Sequence, residues 1–222
     1  MMRWIAVDGA TDVAREASQR ISAAASSAIS QHGYFSLVLA GGSTPLTAYK
    51  LLAQSDLDCS AWRLYFGDER CLPADDPNRN SVMVAQTGLS EKAGEVFIMR
   101  AEWGAERAAE NYRQIVDEAV PFDMVLLGMG EDGHTASLFP GHDENSASVF
   151  SVYDSPKPPA ERVSLSTAAL QNCREMLALI VGDAKSRSLR AWKAGADLPI
   201  SRVCACRQCQ VLYDRDLLEG KA

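Results

Sequence analysis

Short apolar runs alternate with amphipathic stretches along the whole chain, and this alternation restricts the fold more than any other feature of the sequence. Most of the runs are solidly apolar, which is typical of strands that are buried on both faces of a sheet. Alternating strands and helices predict an α/β fold, namely a three-layer αβα sandwich with a mostly parallel, Rossmann-like sheet and helices on both faces. The predicted strands are Arg3–Val7, Phe35–Ala40, Arg63–Phe66, Glu95–Met99, Phe122–Leu127, Arg162–Ser166, Met176–Val181 and Gln210–Tyr213.

The stretches between the runs are predicted to be helices. The first helix is expected from about Asp12 to His32, because apolar residues recur there at spacings of four and three. Thr11 is expected to cap its first turn. Gly33 is well suited to end it, since glycine adopts the left-handed backbone geometry that follows many helices. Further helices are predicted at Pro45–Gln54, Asn80–Gly88, Ala105–Ala119 and Ala184–Ala194.

The length of the chain, 222 residues, corresponds to about one and a half domains of average size. No internal repeat or linker divides it, so we predict a single domain over residues 1–222. A chain of this length buries enough surface to fold without disulfides or a metal, and its six cysteines are expected to be free thiols. Cys204, Cys206 and Cys209 cluster in C-A-C-R-Q-C but lack the fourth ligand of a usual zinc site. We therefore expect neither a metal nor a cofactor.

The charge balance of the chain is acidic, with 22 basic residues, 29 acidic residues and a formal net charge of −7. This balance argues against a nucleic-acid partner, which needs a basic face. It does not argue against a small anionic substrate, which responds to local charge. No apolar stretch reaches the roughly 20 residues that span a membrane, and the first residues lack the apolar core of a signal peptide. We therefore expect a cytoplasmic protein without a membrane partner.

Gly41, Gly42, Ser43 and Thr44 follow the second predicted strand, at the edge where open parallel sheets bind ligands. Two glycines allow a tight turn and a close approach of the backbone. The helix that follows offers unpaired N–H groups and the positive end of its dipole. This combination predicts a phosphate-binding turn. The alternative is an ordinary strand-to-helix turn in which Thr44 caps the helix and Pro45 occupies its first position.

Gly67, Asp68, Glu69 and Arg70 follow the third predicted strand. An arginine at a strand end is suited to grip a phosphate through two hydrogen bonds. Asp68 or Glu69 is expected to orient that arginine or to contact sugar hydroxyls. The alternative is a charged turn that is simply solvated.

His134 lies in a glycine-rich segment, G-M-G-E-D-G-H-T-A-S-L-F-P-G, that follows the predicted strand Phe122–Leu127. Histidine is the side chain best suited to proton transfer near neutral pH. A nearby acid can fix its tautomer and raise its basicity. Loops on a rigid scaffold carry functional residues disproportionately, so we favour a functional His134 over a packed core histidine.

Three of these segments, L-A-G-G-S-T-P, Y-F-G-D-E-R and L-L-G-M-G-E-D-G-H-T-A-S-L-F-P-G, resemble the 6-phosphogluconolactonase family in sequence and order. The stretch Ser155–Leu165, S-P-K-P-P-A-E-R-V-S-L, resembles it too, and the resemblance extends from about Ile5 to Leu218. Glucosamine-6-phosphate deaminases belong to the same superfamily. They carry a D-E-Y type segment where this chain has D-E-R, and a loop of the type N-G-H-I-A-F-N-E-P where it has residues 132–140. Both differences favour the lactonase. The chain departs from the family pattern in the cysteine-rich stretch Cys204–Cys209.

The resemblance implies hydrolysis of 6-phospho-D-glucono-1,5-lactone to 6-phosphogluconate, a step of the pentose phosphate pathway that needs no cofactor. His134 is the implied general base, taking a proton from water and returning it to the ring oxygen, while Asp68 or Asp132 orients the attack or the histidine. Ser43 and Ser137 are available as nucleophiles, but no G-x-S-x-G elbow exposes a serine, so we favour water. The alternatives are a glucosamine-6-phosphate deaminase or isomerase and a noncatalytic sugar-phosphate sensor.

The implied phosphate anchor consists of the Gly41–Thr44 amides, with Arg70 and Lys185 as counter-charges. Lys185 follows the predicted strand that ends at Val181, which is another strand-end position. Arg162 matches the S-P-K-P-P-x-x-R stretch of the family and either binds the substrate or forms a structural ion pair. We expect the small-molecule lactone to be the only partner of a monomer or weak homodimer.

Overall fold

The computed structural model of the chain describes residues 2–144, 146–206 and 208–220. These residues form two sheets surrounded by helices. The strands are β1 Arg3–Val7, β2 Phe35–Leu39, β3 Trp62–Phe66, β4 Asp68–Arg70, β5 Glu95–Val96, β6 Phe122–Gly128, β7 Val149–Val152, β8 Arg162–Leu165, β9 Cys173–Ile180 and β10 Cys209–Asp214. The helices are α1 Gly9–His32, α2 Ser43–Gln54, α3 Asn80–Ala85, α4 Leu89–Lys92, α5 Ala105–Ala119, α6 Thr167–Gln171, α7 Ser186–Lys193, α8 Pro199–Val203 and α9 Asp216–Glu219.

The larger sheet is parallel throughout the described residues, with seven strands in the order β1-β10-β9-β6-β2-β3-β5. All five residues of β2 are buried, and so are the first six residues of β6. Burial of every side chain on a strand requires cover on both faces of the sheet, which the helices supply. The predicted α/β fold, with a mostly parallel sheet inside an αβα sandwich, is confirmed.

A second sheet of three antiparallel strands, in the order β4-β8-β7, branches from the end of β3. Gly67 is the branch point: its N–H donates to Leu39 O of β2 at 3.0 Å, and its carbonyl accepts from Leu165 N of β8 at 2.9 Å. The predicted strand Arg162–Ser166 therefore exists as β8, but it lies in this second sheet and not in the parallel one. Its partner strands were not predicted, because runs of three and four residues show too little periodicity.

The boundaries of several predicted elements differ from those observed. Helix α1 begins at Gly9 after Asp8, so Thr11 lies inside its first turn and is not its cap. Gly33 ends the helix as predicted, with φ +91° and its N–H bonded to Ile29 O. The fourth predicted strand is shorter than expected and ends at Val96.

Two predicted helices are interrupted near one end. The helix expected over Asn80–Gly88 ends at Ala85, and Gly88, with φ +83°, precedes the short helix α4. The helix expected over Ala184–Ala194 is preceded by a 3₁₀ turn at Asp183–Lys185. The short helices α6, α8 and α9 were not predicted.

One contiguous set of buried apolar side chains joins the helices to both sheets. The single domain expected from the length stays a prediction, and this shared core supports it. No helix within the described ranges is both long and apolar enough to cross a membrane. Because β2, β3, β6 and β9 run parallel, their carboxyl ends and the loops that follow them meet at one edge of the sheet.

Candidate active site

A cavity of about 320 Å³ opens at the carboxyl ends of these parallel strands. Nine of the ten residues that the sequence singled out for the site line it; the tenth, Asp132, is not among the lining residues. The nine are Gly41, Gly42, Ser43, Thr44, Asp68, Arg70, His134, Arg162 and Lys185. Residues separated by more than 140 positions in the chain thus come together at one edge of the sheet.

The Gly-Gly-Ser-Thr turn joins β2 to the N-terminus of α2, which begins at Ser43 with Gly42 as its cap. The sequence-level alternative, with Thr44 as the cap, is wrong. Gly42 has φ +105°, a backbone geometry that favours glycine. The first intrahelical bond runs from Leu46 N to Gly42 O, so the amides of Ser43 and Thr44 have no intrahelical acceptor. They are available to an anion at the positive end of the helix dipole.

Gly41 lies against the side chain of Asn80, which belongs to α3. A Cβ at position 41 would stand 2.2 Å from Asn80 Oδ1, so only glycine fits there without displacing that side chain. On the other side, the buried Tyr49 hydroxyl donates to Ala40 O at 3.1 Å and receives a bond from Ala40 N at 3.0 Å. The turn is thereby held from two directions before any ligand arrives.

His134 is bonded to Asp132, two residues earlier in the same loop. Asp132 Oδ1 lies 2.5 Å from His134 Nδ1 and also accepts from the His134 backbone N–H at 3.2 Å. Gly130 allows this arrangement, since a Cβ there would stand 2.0 Å from the imidazole ring. The loop is closed by a bond from Gly130 N to His134 O at 2.8 Å and tied to α8 by one from Ile200 N to Gly133 O at 3.1 Å.

Burial lowers the pKa of His134 from its ordinary value, although Asp132 and, more weakly, Asp68 act to raise it. The imidazole is therefore neutral at neutral pH. Partial burial acts to raise the pKa of Asp132, but the hydrogen bond and charge of His134 outweigh it and leave that pKa lowered. An ionised Asp132 accepts the proton on Nδ1, which leaves the lone pair of the neutral ring on Nε2.

Asp68 is buried, and both of its carboxylate oxygens have partners other than His134. Oδ1 accepts from Asn80 Nδ2 at 2.9 Å, and Oδ2 accepts from Ser137 Oγ at 2.7 Å, with Arg162 Nη1 at 4.0 Å. Of the two acids considered for orienting His134, Asp132 is the one that contacts it. The carboxylate of Asp68 is thus held in place by Asn80 and Ser137 beside the guanidinium of Arg162.

Of the two acids considered for contact with Arg70 or the sugar hydroxyls, Asp68 lines the cavity and Glu69 does not. Its fully buried carboxylate accepts from Asn80 N at 2.7 Å and Ser81 N at 2.9 Å, which caps the N-terminus of α3. Arg79, also buried, lies 3.5 Å from it and donates to Glu102 at 2.7 Å. Glu69 thus holds the helix that carries Asn80, and its carboxylate also accepts from the backbone N–H of Arg70 at 2.9 Å.

The guanidinium of Arg162 donates mainly to backbone carbonyls of the loop that precedes it. Its Nε donates to Pro159 O at 3.1 Å, and its Nη2 donates to Lys157 O at 2.9 Å and Pro158 O at 3.1 Å. Burial lowers its pKa, against the opposing charge of Asp68. The guanidinium is therefore a structural clamp on this loop, with Nη1 left to face Asp68 and the cavity.

Arg70 and Lys185 supply further positive charge to the cavity wall. Arg70 Nη1 donates to Asn78 O, while its Nε is buried without a partner within the described residues. Burial lowers the pKa of Lys185, and Glu131 opposes that effect. Both side chains are half-buried, so their charges are screened less than those of exposed residues.

Sequence reasoning missed several residues that line the cavity, and the polar ones include Asn80 and Lys157. Asn80 stands ten positions beyond the end of the D-E-R segment and carries no local signal of its own. Lys157 lies inside the proline-rich stretch S-P-K-P-P, which precedes β8. The family resemblance of S-P-K-P-P was a signal that could have drawn attention to it.

Four of the six cysteines form a cluster near the amino-terminal ends of β9 and β10. Cys173 joins the three residues of the C-A-C-R-Q-C segment, and burial raises its pKa to about 12. Burial also raises the pKa of Cys204, which interacts with Cys209. The raised pKa values keep the thiols of Cys173 and Cys204 protonated at neutral pH. No group of His, Cys, Asp or Glu suited to a metal occurs within residues 2–144, 146–206 and 208–220.

Comparison with known proteins gives a consistent result. The model of the family described as "Glucosamine-6-phosphate isomerases/6-phosphogluconolactonase" matches residues 8–213. The 6-phosphogluconolactonase of Mycobacterium tuberculosis is 32% identical over 223 residues, which cover 90% of each chain. The chloroplastic 6-phosphogluconolactonase 3 of Arabidopsis thaliana is 30% identical over 72% of this chain, and the match spans 57% of that longer relative. The solved 6-phosphogluconolactonase of Trypanosoma brucei superposes with a TM-score of 0.88 at 27% identity, covering 100% of this chain and 99% of the other.

Proposed function

The chain belongs to the glucosamine-6-phosphate isomerase/6-phosphogluconolactonase family, and on that premise we propose that it hydrolyses 6-phospho-D-glucono-1,5-lactone to 6-phospho-D-gluconate in the oxidative pentose phosphate pathway. The observation that carries the proposal is that His134, bonded to Asp132 at 2.5 Å, lines the same cavity as the free amides at the N-terminus of α2. A base and a phosphate anchor are the two groups that this reaction needs most.

The reaction begins when Nε2 of neutral His134 removes a proton from a water molecule as that water attacks the lactone carbonyl carbon. The carbonyl oxygen takes the negative charge of the tetrahedral intermediate. Asp132 stabilises the imidazolium that has formed and keeps it in one orientation. The intermediate collapses by breaking the bond between the carbonyl carbon and the ring oxygen, and His134 returns its proton to that oxygen. The new carboxylic acid then ionises.

The phosphate binds at the amides of Ser43 and Thr44, with Lys185 and Arg70 as counter-charges. Anions bind well at helix N-termini because the free N–H groups and the dipole act together. Anchoring the phosphate fixes the distance from there to the carbonyl carbon, which turns a two-body encounter into an oriented one. Arg162 supports this side of the cavity by holding the loop at residues 157–159.

Asp68 contacts the sugar in this proposal. Its carboxylate is held by Asn80 and Ser137 and borders the cavity, so its remaining lone pairs accept from a hydroxyl of the bound lactone. Ser137 donates its hydroxyl proton to Asp68 and is buried, which leaves it unsuited to act as the nucleophile. Attack by water therefore remains the favoured route.

The proposal is tested by an assay with freshly generated 6-phosphogluconolactone, with the spontaneous rate of hydrolysis subtracted. A parallel assay offers glucosamine 6-phosphate and measures release of ammonia. Acid release from the lactone without release of ammonia supports the proposal. Ammonia release would assign a deaminase, and binding without turnover of either compound would assign a sensor. The cytoplasmic location and the monomeric or weakly dimeric state stay predictions from the sequence.

A further inference from the structure

Lys157 lines the cavity together with His134 and Lys185, although the proposed mechanism gives it no task. It belongs to the loop between β7 and β8, which forms a wall of the cavity opposite the parallel strands. The side chain is half-buried. A lysine in a proline-rich surface loop ordinarily extends into solvent, so this location needs an explanation.

The backbone of Lys157 is held from two sides by buried side chains. Ser155 Oγ donates to Lys157 O at 2.8 Å and accepts from Lys157 N at 3.3 Å. The buried Arg162 donates to the same carbonyl through Nη2 at 2.9 Å. These bonds all reach main-chain atoms, so the loop keeps its position whatever side chain residue 157 carries. The lysine is thereby preorganised at the cavity wall.

The ammonium of Lys157 has no ion-pair partner within the described residues. Its positive charge lowers the pKa of His134 and also that of Lys185. The charges acting on His134 are those of Asp132, Asp68 and Lys157, and of these only Lys157 favours the neutral ring. An unpaired cation therefore lies in electrostatic range of the base and of the phosphate counter-charge.

A positive charge at the cavity wall near His134 would stabilise the negative charge that develops during hydrolysis. When water attacks beside His134, the carbonyl oxygen of the lactone becomes an oxyanion, and neither Asp132 nor Asp68 is able to stabilise it. Arg162 has committed three of its contacts to backbone carbonyls. Preorganised positive groups at the site of developing charge give the largest single contribution to many enzymatic rate enhancements. Unlike the guanidinium of Arg162 or Arg70, the ammonium of Lys157 donates to no backbone carbonyl within the described residues.

We propose that Lys157 is a catalytic residue whose ammonium contacts the lactone carbonyl oxygen and stabilises the oxyanion of the tetrahedral intermediate. The inference rests on the proposed lactonase function and adds a residue to it. No proton leaves the lysine: water supplies the attacking oxygen, His134 carries the proton, and the ammonium contributes only charge and a hydrogen bond. A fixed cation at the reacting carbon also disfavours substrates that carry a protonated amine close to that atom.

The test compares Lys157→Met and Lys157→Arg with the wild-type chain, using the exposed Lys50 as a matched control in Lys50→Met. Lys157→Met should lower kcat by about 10²–10³-fold, the usual effect of losing one oxyanion donor, with KM changed little. Lys157→Arg should retain more activity than Lys157→Met, and Lys50→Met should match the wild type. In Lys157→Met the pKa of His134, measured by NMR titration, should rise.

A rise in KM with unchanged kcat in Lys157→Met would overturn the proposal, because it would place the lysine on the phosphate. Unchanged kcat and KM would overturn it by making the residue a spectator, and an unchanged pKa of His134 would contradict the electrostatic contact. If the wild-type chain does not hydrolyse the lactone at all, the proposed function fails and this inference fails with it. If the wild type hydrolyses the lactone and the Lys157 variants are as active as Lys50→Met, this inference fails while the proposed function stands.

Discussion

Asp132 Oδ1 and His134 Nδ1 lie 2.5 Å apart in a loop that glycine alone permits to close in this way. The carboxylate fixes which ring nitrogen carries the proton and stabilises the charged ring. The burial that lowers the pKa of His134 keeps the resting imidazole neutral. A partly buried histidine whose Nδ1 is bonded to an acid is well suited to general-base catalysis through Nε2.

Asp132→Asn should lower kcat and move the acid limb of the pH–rate profile to lower pH. Asp132 acts to raise the pKa of His134, so its removal lowers that pKa further and leaves the ring neutral in more acidic solution. The weaker base, and the loss of its orienting partner, reduce the rate at neutral pH. The measurement is kcat/KM against pH, corrected for spontaneous hydrolysis at each point. An acid limb that stays in place or moves to higher pH would show that Asp132 does not set the protonation of His134.

Arg70→Ala should mainly raise KM for the phosphorylated lactone, because the phosphate lies away from the reacting carbon and is bound alike in ground and transition states. Steady-state kinetics with the phosphorylated lactone measure the effect. Glucono-1,5-lactone without the phosphate serves as the control substrate, and its slower hydrolysis should be unaffected by the substitution. An unchanged KM for the phosphorylated lactone would show that the anchor lies elsewhere.

Gly130→Ala should disable the site without unfolding the chain. The new Cβ would stand 2.0 Å from the imidazole, so the ring must move, and a displacement of about 1 Å from reacting geometry costs roughly 10²-fold in rate. Gly128→Ala is the matched control variant, because a Cβ at position 128 would stand 3.6 Å from its nearest neighbour, Gly41 O. The imidazole NMR signals of His134 should shift in Gly130→Ala and stay in place in Gly128→Ala. Unmoved signals and normal turnover in Gly130→Ala would contradict the packing described.

Arg79→Met should lower the free energy of unfolding by about 3–5 kcal/mol, because it leaves the buried Glu69 without its cation. Arg15→Met removes one member of an exposed pair with Asp12 and should cost less than about 1 kcal/mol. Urea denaturation of the two variants and the wild type gives both values. A loss below 1 kcal/mol in Arg79→Met would mean that Glu69 does not depend on this arginine.

The contrast between Asp68 and Glu69 illustrates what the sequence predicts and what it does not. Consecutive residues of a strand point to opposite faces, so Asp68 and Arg70 share the cavity side of β4 while Glu69 points into the core. The alternation was invisible because β4 has only three residues. The same shortness concealed the second sheet, and with it the true place of the predicted strand at Arg162.

The parallel sheet and its loops were predictable because long apolar runs and glycine-rich turns are local signals. Gly33 has the left-handed geometry that was predicted for it, and the predicted tight turn at Gly42 has a positive φ. Asn80 and Lys157 reach the cavity only through tertiary structure. Asn80 is placed by a helix cap from Glu69, and Lys157 by the clamp of Arg162 on its loop. Neither contact leaves a pattern in nearby residues.

The central claim is that His134 activates water against a lactone. Its most direct test is the rate of acid release from freshly prepared 6-phosphogluconolactone with the wild-type chain and with His134→Ala, each corrected for spontaneous hydrolysis. The account predicts rapid hydrolysis by the wild type and a kcat lowered by about 10²–10⁴-fold in the variant, with both proteins giving the same circular dichroism spectrum. A wild-type rate equal to the spontaneous one, or near-normal turnover in folded His134→Ala, would contradict it.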